Sequence, residues 1–241
     1  MTDADISPGV GLASWATDLP AGAVAGSIYA VGPDRRIEAA KELAARGMPI
    51  HADLILAPGD GDGGDGVGTA GRIVHLGVAP HEIRALRAAL PDARIELHVI
   101  LLDGAGLVGG SVEMRALTEF AREVGAERIV LPEWLAGDDA VCAAFAGSGC
   151  AVWRELPPTY TVGDLAAGRF GGSLVMLIAP GTRDTADPAL LERVAALAPS
   201  CDVAVDGGVT PELAVRALSS GAQYVVAGRS LFTTHDRTTA T

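Results

Sequence analysis

Four side chains able to ligate a metal or move a proton sit inside strand-like apolar runs. PIHADLIL holds His51 and Asp53, RIELHVILLDG holds His98, and CDVAVDGGV carries Asp206. His51 and Asp53 are two residues apart, so in an extended segment both side chains point to one face. Neutral imidazole and carboxylate together suit one divalent ion such as zinc, manganese, iron or cobalt. Each residue alone has an ordinary explanation. A single strand histidine is commonly a hydrogen-bonded core residue, and an Asp after a strand is commonly a turn or a helix cap. Burying this many ionisable groups together is costly unless a cation or a partner neutralises them. The joint pattern therefore points to a metal site built from His51, Asp53, His98 and Asp206.

Bringing these groups together requires a repeating architecture. β-rich apolar runs occur at 26–31, 49–56, 94–102, 127–131, 150–155, 173–178, 202–205 and 224–227. Several are apolar throughout, as strands covered on both faces should be. Amphipathic segments at 35–46, 80–90, 111–124, 138–146, 188–197 and 211–219 lie between them. Pro80, Pro188 and Pro211 stand where helices should start, and Gly47, Gly125 and Gly221 where they should stop. Eight strands alternating with helices predict an α/β fold of the (β/α)8 TIM-barrel class, with catalytic residues at the C-terminal strand ends. The rival is an open doubly wound sheet. It is disfavoured because no G-x-G-x-x-G follows the first run, which leads into Gly32-Pro33-Asp34. One domain is expected over 1–241. Residues 1–22, with Trp15, read as an extension on the barrel, and 233–241 as a tail. The stretch 57–71 reads as a Gly/Asp-rich loop, a lid or insert in preference to a calcium loop, because no Glu closes it.

Composition narrows the chemistry. The chain has 241 residues, 49% apolar and 20% charged, which suits one folded domain. Its net charge of −12 repels phosphate backbones, so nucleic acid is not an expected partner. Lys41 is the single lysine, which leaves a Schiff-base mechanism one candidate and a Walker loop none. Cys142, Cys150 and Cys201 form no C-x-x-C pair, which favours a reducing compartment. The N-terminal stretch lacks a basic region followed by an apolar core, and no apolar run reaches the roughly 18 residues of a membrane helix. A cytoplasmic protein with no membrane partner is expected.

Taken in order, the motifs resemble the ribulose-phosphate 3-epimerase family. Ser27 stands in GSIYAV, followed by His51-Ala52-Asp53, Glu96-Leu97-His98 and Met176-Leu177-Ile178-Ala179-Pro180-Gly181. Asp206-Gly207-Gly208-Val209 and a closing segment, Gly221-Ala222 through Gly228-Arg229-Ser230-Leu231-Phe232, complete the series. The resemblance spans roughly Gly26 to Phe232. It implies a ribulose-phosphate-binding barrel and one divalent ion held by His51, Asp53, His98 and Asp206. Asp53 and Asp206 would be acid and base on opposite faces of the substrate carbon, working through a cis-enediolate. The implied substrate-binding residues are Ser27, Met176, Gly181, Gly207, Gly208, Gly228, Arg229 and Ser230, although Met176 reads equally well as core filler. The implied reaction is epimerisation next to the carbonyl of a ketose or ketose phosphate, in a homo-oligomer. Departures are as plain. Ile55-Leu56-Ala57, followed by the glycine loop, replaces V-M-D-G, Ile100 replaces a methionine, and Ala179 an asparagine. Thr182-Arg183-Asp184-Thr185 replaces F-G-G-Q, and the usual eighth helix is short or absent. The substrate therefore need not be ribulose 5-phosphate. A related enediolate isomerase, a metal aldolase, or a silent barrel binding a sugar-like metabolite or a partner stays open.

Overall fold

Val, Ile, Leu and Ala dominate the predicted strands, and these side chains pack equally well inside and outside a closed sheet. A computed structural model describes residues 9–58, 73–102, 107, 109–161 and 170–235. In chain order its elements are β1 (Gly9–Leu12), β2 (Val24–Ser27), α1 (Arg36–Ala45), β3 (Ile50–Pro58), β4 (Ile73–His75) and α2 (Pro80–Ala89). Next come β5 (Ile95–Leu101), α3 (Val112–Glu123), β6 (Arg128–Pro132), α4 (Glu133–Ala136), α5 (Asp139–Phe145) and β7 (Ala151–Leu156). The chain continues through β8 (Gly172–Met176), α6 (Leu191–Leu197), β9 (Val203–Asp206), α7 (Pro211–Ser219), β10 (Tyr224–Ala227) and β11 (Phe232–His235).

Strands β2, β3, β5, β6, β7, β8, β9 and β10 form a closed parallel barrel, with β10 on β2 and β2 on β3 completing the ring. The fold is thus the predicted (β/α)8 barrel. Helix starts are fixed by side chains that satisfy free amides. Ser111 Oγ accepts from Met114 N at 3.0 Å, and Asp138 Oδ1 accepts from Ala140 N at 2.7 Å. Glu82 accepts from Ala79 N at 2.7 Å and from Arg36 Nη1 at 2.6 Å, tying α2 to α1. The main core lies between sheet and helices, and includes Leu43, Ile50, Ile83, Leu97, Ile129 and Val205. A second apolar group fills part of the barrel interior: Ala25, Val130, Trp153, Leu174, Met176, Ala204, Tyr224 and Val226. The rest of the interior is polar, and β3 and β5 supply most of it through His51, Asp53, Glu96 and His98, all buried.

Several expectations change. The run at 26–31 is a strand only through Ser27; beyond it neither neighbour continues the ladder, and Ile28–Ala30 turns into a 3-10 helix that buries Ile28. The loop expected from 57 starts later, because Ala57 and Pro58 extend β3 and pair antiparallel with β4. From residue 59 through 71 that stretch lies outside the described residues. The extension is not irregular at Gly9–Leu12, and the tail is not free at Thr233–His235. These segments pair as an antiparallel ribbon, Gly9 opposite His235 and Leu12 opposite Phe232. Val10 donates its N–H to Glu38 of α1 at 3.1 Å, so the ribbon is docked on α1. Among the described residues no helix follows β10; the turn at Gly228–Leu231 leads directly into β11. Among the described residues, no helix is long and apolar enough to cross a membrane.

Candidate metal centre

The site originates in the register of β3 against β5. His51 lies beside Glu96, and Asp53 beside His98. All four side chains point inward, giving a two-by-two checkerboard of imidazole and carboxylate. Asp206 joins it from the C-terminal end of β9, where it is the register partner of Met176. One ligand atom from each of His51, Asp53, His98 and Asp206 lies within 4.8 Å of all the others. His51 Nε2 and His98 Nδ1 are each 3.2 Å from Asp53 Oδ1, and 3.3 Å from one another. Asp206 Oδ2 stands 3.7 and 3.8 Å from the same two nitrogens. Both rings are fully buried.

The outward nitrogens decide what the inward ones can do. His51 Nδ1 meets Glu96 Oε1, and His98 Nε2 meets Glu155 Oε2 at 2.8 Å. Donating these protons to carboxylates fixes each tautomer and leaves a lone pair on His51 Nε2 and on His98 Nδ1. With both rings neutral, those two lone pairs lie 3.3 Å apart and face two carboxylate oxygens, an arrangement that a bound cation or added protons would relieve. A carboxylate behind each metal-facing imidazole is also the usual support of such a ligand. The two-nitrogen, two-oxygen donor set therefore fits a divalent ion of the zinc, manganese, iron or cobalt type.

Protons alone neutralise the cluster in a recognisable pattern. Burial pulls the His51 ring down, but the Asp53 and Glu96 carboxylates outweigh it and hold its pKa well above the ordinary value. Burial likewise opposes protonation of His98, and Asp53 and Glu155 reverse this, raising it to about 9. Burial favours neutral Asp53, but His51 and His98 hold it below the usual carboxylate range. Asp206 moves the other way, to about 6, because burial and the nearby Asp53 charge outweigh the histidines and the Gly207 amide. The two carboxylates are thus pushed in opposite directions.

Asp53 and Asp206 form part of the wall of a cavity of about 570 Å³ at the C-terminal end of the barrel. Ser27 lines it too and donates to Asp53 Oδ2 at 2.7 Å. Met176 is on the apolar wall with Ile100 and Val226. Gly181, Gly207, Gly208, Gly228, Arg229 and Ser230 surround the other end. The cavity thus brings together every residue expected to touch substrate. The Gly207 N–H donates to Asp206 Oδ1 at 2.6 Å, so this amide is engaged by that carboxylate. Ser230 Oγ donates to Val209 O at 2.5 Å, linking the two glycine loops. The departures from the family motif meet here as well. Asp184 accepts from Thr182 Oγ1 at 2.9 Å, while exposed Arg183 and Arg229 line the same end.

Motif reading quoted Glu96 but assigned it no task, and it missed Glu155, Arg128 and Tyr224. Glu96 Oε2 accepts from Arg128 Nη1 at 3.0 Å and from the Tyr224 hydroxyl. Burial works against ionised Glu96, but His51, Arg128 and Tyr224 hold it at about 2. The available signal for Glu155 was its place two residues after Trp153 in AVWREL, on the same inward face of a buried strand.

No protein-family model matches the chain, and no curated protein matches it. Solved structures do. A single-substitution mutant of the tryptophan synthase alpha-subunit from Pyrococcus furiosus aligns with a TM-score of 0.58 at 17% identity, covering 87% of this chain and 88% of that one. Phosphoribosyl anthranilate isomerase from Thermus thermophilus aligns with a TM-score of 0.55, also at 17% identity, covering 86% and 87%. At this identity the likeness establishes the barrel fold. These neighbours are not ribulose-phosphate 3-epimerases, so the family resemblance rests on the motifs.

Proposed function

We propose that the protein is a metal-dependent epimerase, inverting a carbon next to the carbonyl of a ketose or ketose phosphate. The observation that carries this reading is the pair Asp53 and Asp206 at the cavity wall, with two carboxylate-backed histidines between and beneath them. A divalent ion held by His51 Nε2, His98 Nδ1, Asp53 and Asp206 would polarise the substrate carbonyl and acidify the neighbouring C–H. Asp53, held ionised by both rings and by Ser27, takes or returns a proton on one face of that carbon. Asp206, with Oδ1 on the Gly207 amide and Oδ2 toward the centre, serves the other face. Ile100, Met176 and Val226 form a dry wall around the reacting carbon. At the far end, the Gly208 and Gly228 amides with Arg229 and Ser230 suit an anionic group of the substrate. Both neighbours named above are enzymes by title, one of them an isomerase, which agrees with an enzyme on this barrel. Three free cysteines suit a reducing, cytoplasmic setting, and a homo-oligomer is part of the same reading.

The test is exchange of substrate hydrogen with deuterated solvent, screened over ketopentose and ketohexose phosphates and the free sugars. Asp206→Asn should cut epimerisation by about 10²–10⁴-fold, the usual worth of a positioned acid or base. Epimerisation at the wild-type rate in Asp206→Asn overturns the two-carboxylate mechanism. Absence of exchange with every sugar in the wild type favours a binding barrel.

A further inference from the structure

We propose that Arg128 and Tyr224 are positioning residues for the metal centre, acting through Glu96 on the His51 ring. This deepens the metal reading above and rests on it. Arg128 opens β6 and Tyr224 opens β10, so both lie toward the end of the barrel away from the cavity. Neither makes a hydrogen bond to His51, Asp53, His98 or Asp206 among the described residues.

They converge on one atom. Arg128 Nη1 donates to Glu96 Oε2 at 3.0 Å, and the Tyr224 hydroxyl donates to the same oxygen. The Arg128 guanidinium itself packs against both aromatic rings, 4.6 Å from the Trp153 centroid and 4.8 Å from that of Tyr224. Pinning Oε2 from two directions removes the torsional freedom of the Glu96 carboxylate and aims Oε1 at His51 Nδ1. The ring is thereby oriented with Nε2 toward the ligand cluster. The other histidine lacks this mount. Among the described residues Glu155 bonds to His98 alone. His51 is therefore the ligand of fixed direction, and the clamp behind it extends across the barrel from β5 to β6 and β10. A barrel needing only a filled floor has apolar residues for that purpose. An Arg, a Tyr and a His gathered around one buried carboxylate are worthwhile where the carboxylate has a direction to keep.

The experiment uses the full chain and Co²⁺ alone, titrated against a competing chelator, with the visible ligand-field spectrum recorded. Glu96→Gln should weaken Co²⁺ binding about 10–100-fold, the usual effect of losing the support of a metal-bound histidine. Tyr224→Phe keeps the ring and loses one hydrogen bond to the carboxylate, so a loss of about 2–10-fold is expected. Tyr224→Phe also keeps the shape of the floor and decides the matter should Glu96→Gln not fold. Both variants should shift the ligand-field bands, which a floor residue with no directing role leaves unmoved. Variants with wild-type affinity and wild-type bands overturn the inference while leaving the metal reading intact. A wild-type protein that takes up no Co²⁺ overturns the metal reading itself, and this inference with it.

Discussion

His51→Ala and His98→Ala should destabilise the metal-free fold by different amounts, and the outward side of each ring explains why. Inward, the two rings are equivalent: each has a nitrogen 3.2 Å from Asp53, and 3.7 or 3.8 Å from Asp206. Both are fully buried, so ring packing and the lost inward contacts largely cancel in the comparison. Outward, His98→Ala leaves Glu155, only 6% exposed, with no partner among the described residues. Breaking a buried pair in this way costs about 3–5 kcal/mol. His51→Ala leaves Glu96 still bonded to Arg128 and Tyr224, so its outward loss is one charged hydrogen bond, about 1.5–3 kcal/mol. The difference is about 2 kcal/mol, or roughly 4–8 °C in Tm for a chain of this length. Thermal unfolding in excess chelator at neutral pH measures it. His98→Ala with Glu155→Gln should recover most of the deficit. Equal Tm losses in the two single variants, with no recovery in the double, would refute this account of the outward carboxylates.

Metal uptake should depend steeply on pH. His98 is protonated below about 9 and His51 is raised as well, so an ion entering at neutral pH must displace both protons. Zn²⁺ affinity should rise about tenfold per pH unit for each proton displaced, about 100-fold per unit near pH 7, and less steeply above the His98 value of about 9. Calorimetry in buffers of different ionisation enthalpy counts those protons, and release of fewer than one contradicts the ligand set. Gly207→Ala should cost about 1–3 kcal/mol more than Gly22→Ala in urea unfolding. Both glycines have positive φ, 100° and 79°, but an added Cβ at Gly207 would meet Ile178 Cγ1 at 2.8 Å and Ile178 N at 2.9 Å, whereas Gly22 meets nothing within 4 Å. Equal costs would mean that the close packing of this turn is unimportant.

The barrel was legible because its strands are buried on both faces, and each of the eight apolar runs overlaps a barrel strand. The H-x-D pattern of β3 and the E-x-H pattern of β5 were equally legible, since period-two alternation alone puts each pair on one face. What local patterns could not show is which inward faces meet across the closed ring. Glu155 reaches His98 from β7, although β6 lies between their strands, and Tyr224 reaches Glu96 from β10. Curvature of the whole sheet makes those contacts, and no window of sequence contains both partners. The ribbon escaped notice for a related reason. Gly9–Leu12 is too short for a periodic signal, and its partner is Phe232–His235. Asp206 was ambiguous between turn residue and ligand; the structure places one carboxylate oxygen in each setting, Oδ1 on the Gly207 amide and Oδ2 facing the histidines.

The ribbon also determines how the molecule bears load. Gly9 and His235, the outer ends of β1 and β11, face one another, with Leu12 opposite Phe232 at the inner end. A pull between these two ends opens the ribbon like a zipper, breaking its antiparallel pairs in succession from the outside. The seam behind it is arranged differently. β2 and β10 run parallel, Val24 beside Val225 and Ala227 beside Gly26, so the same pull drives them along their length and loads all their hydrogen bonds at once. A clasp that peels stands in front of a seam that shears. Strain arriving through either end is absorbed in the ribbon, away from the Trp15 to Ser230 bond that ties the N-terminal segment to the mouth of the cavity.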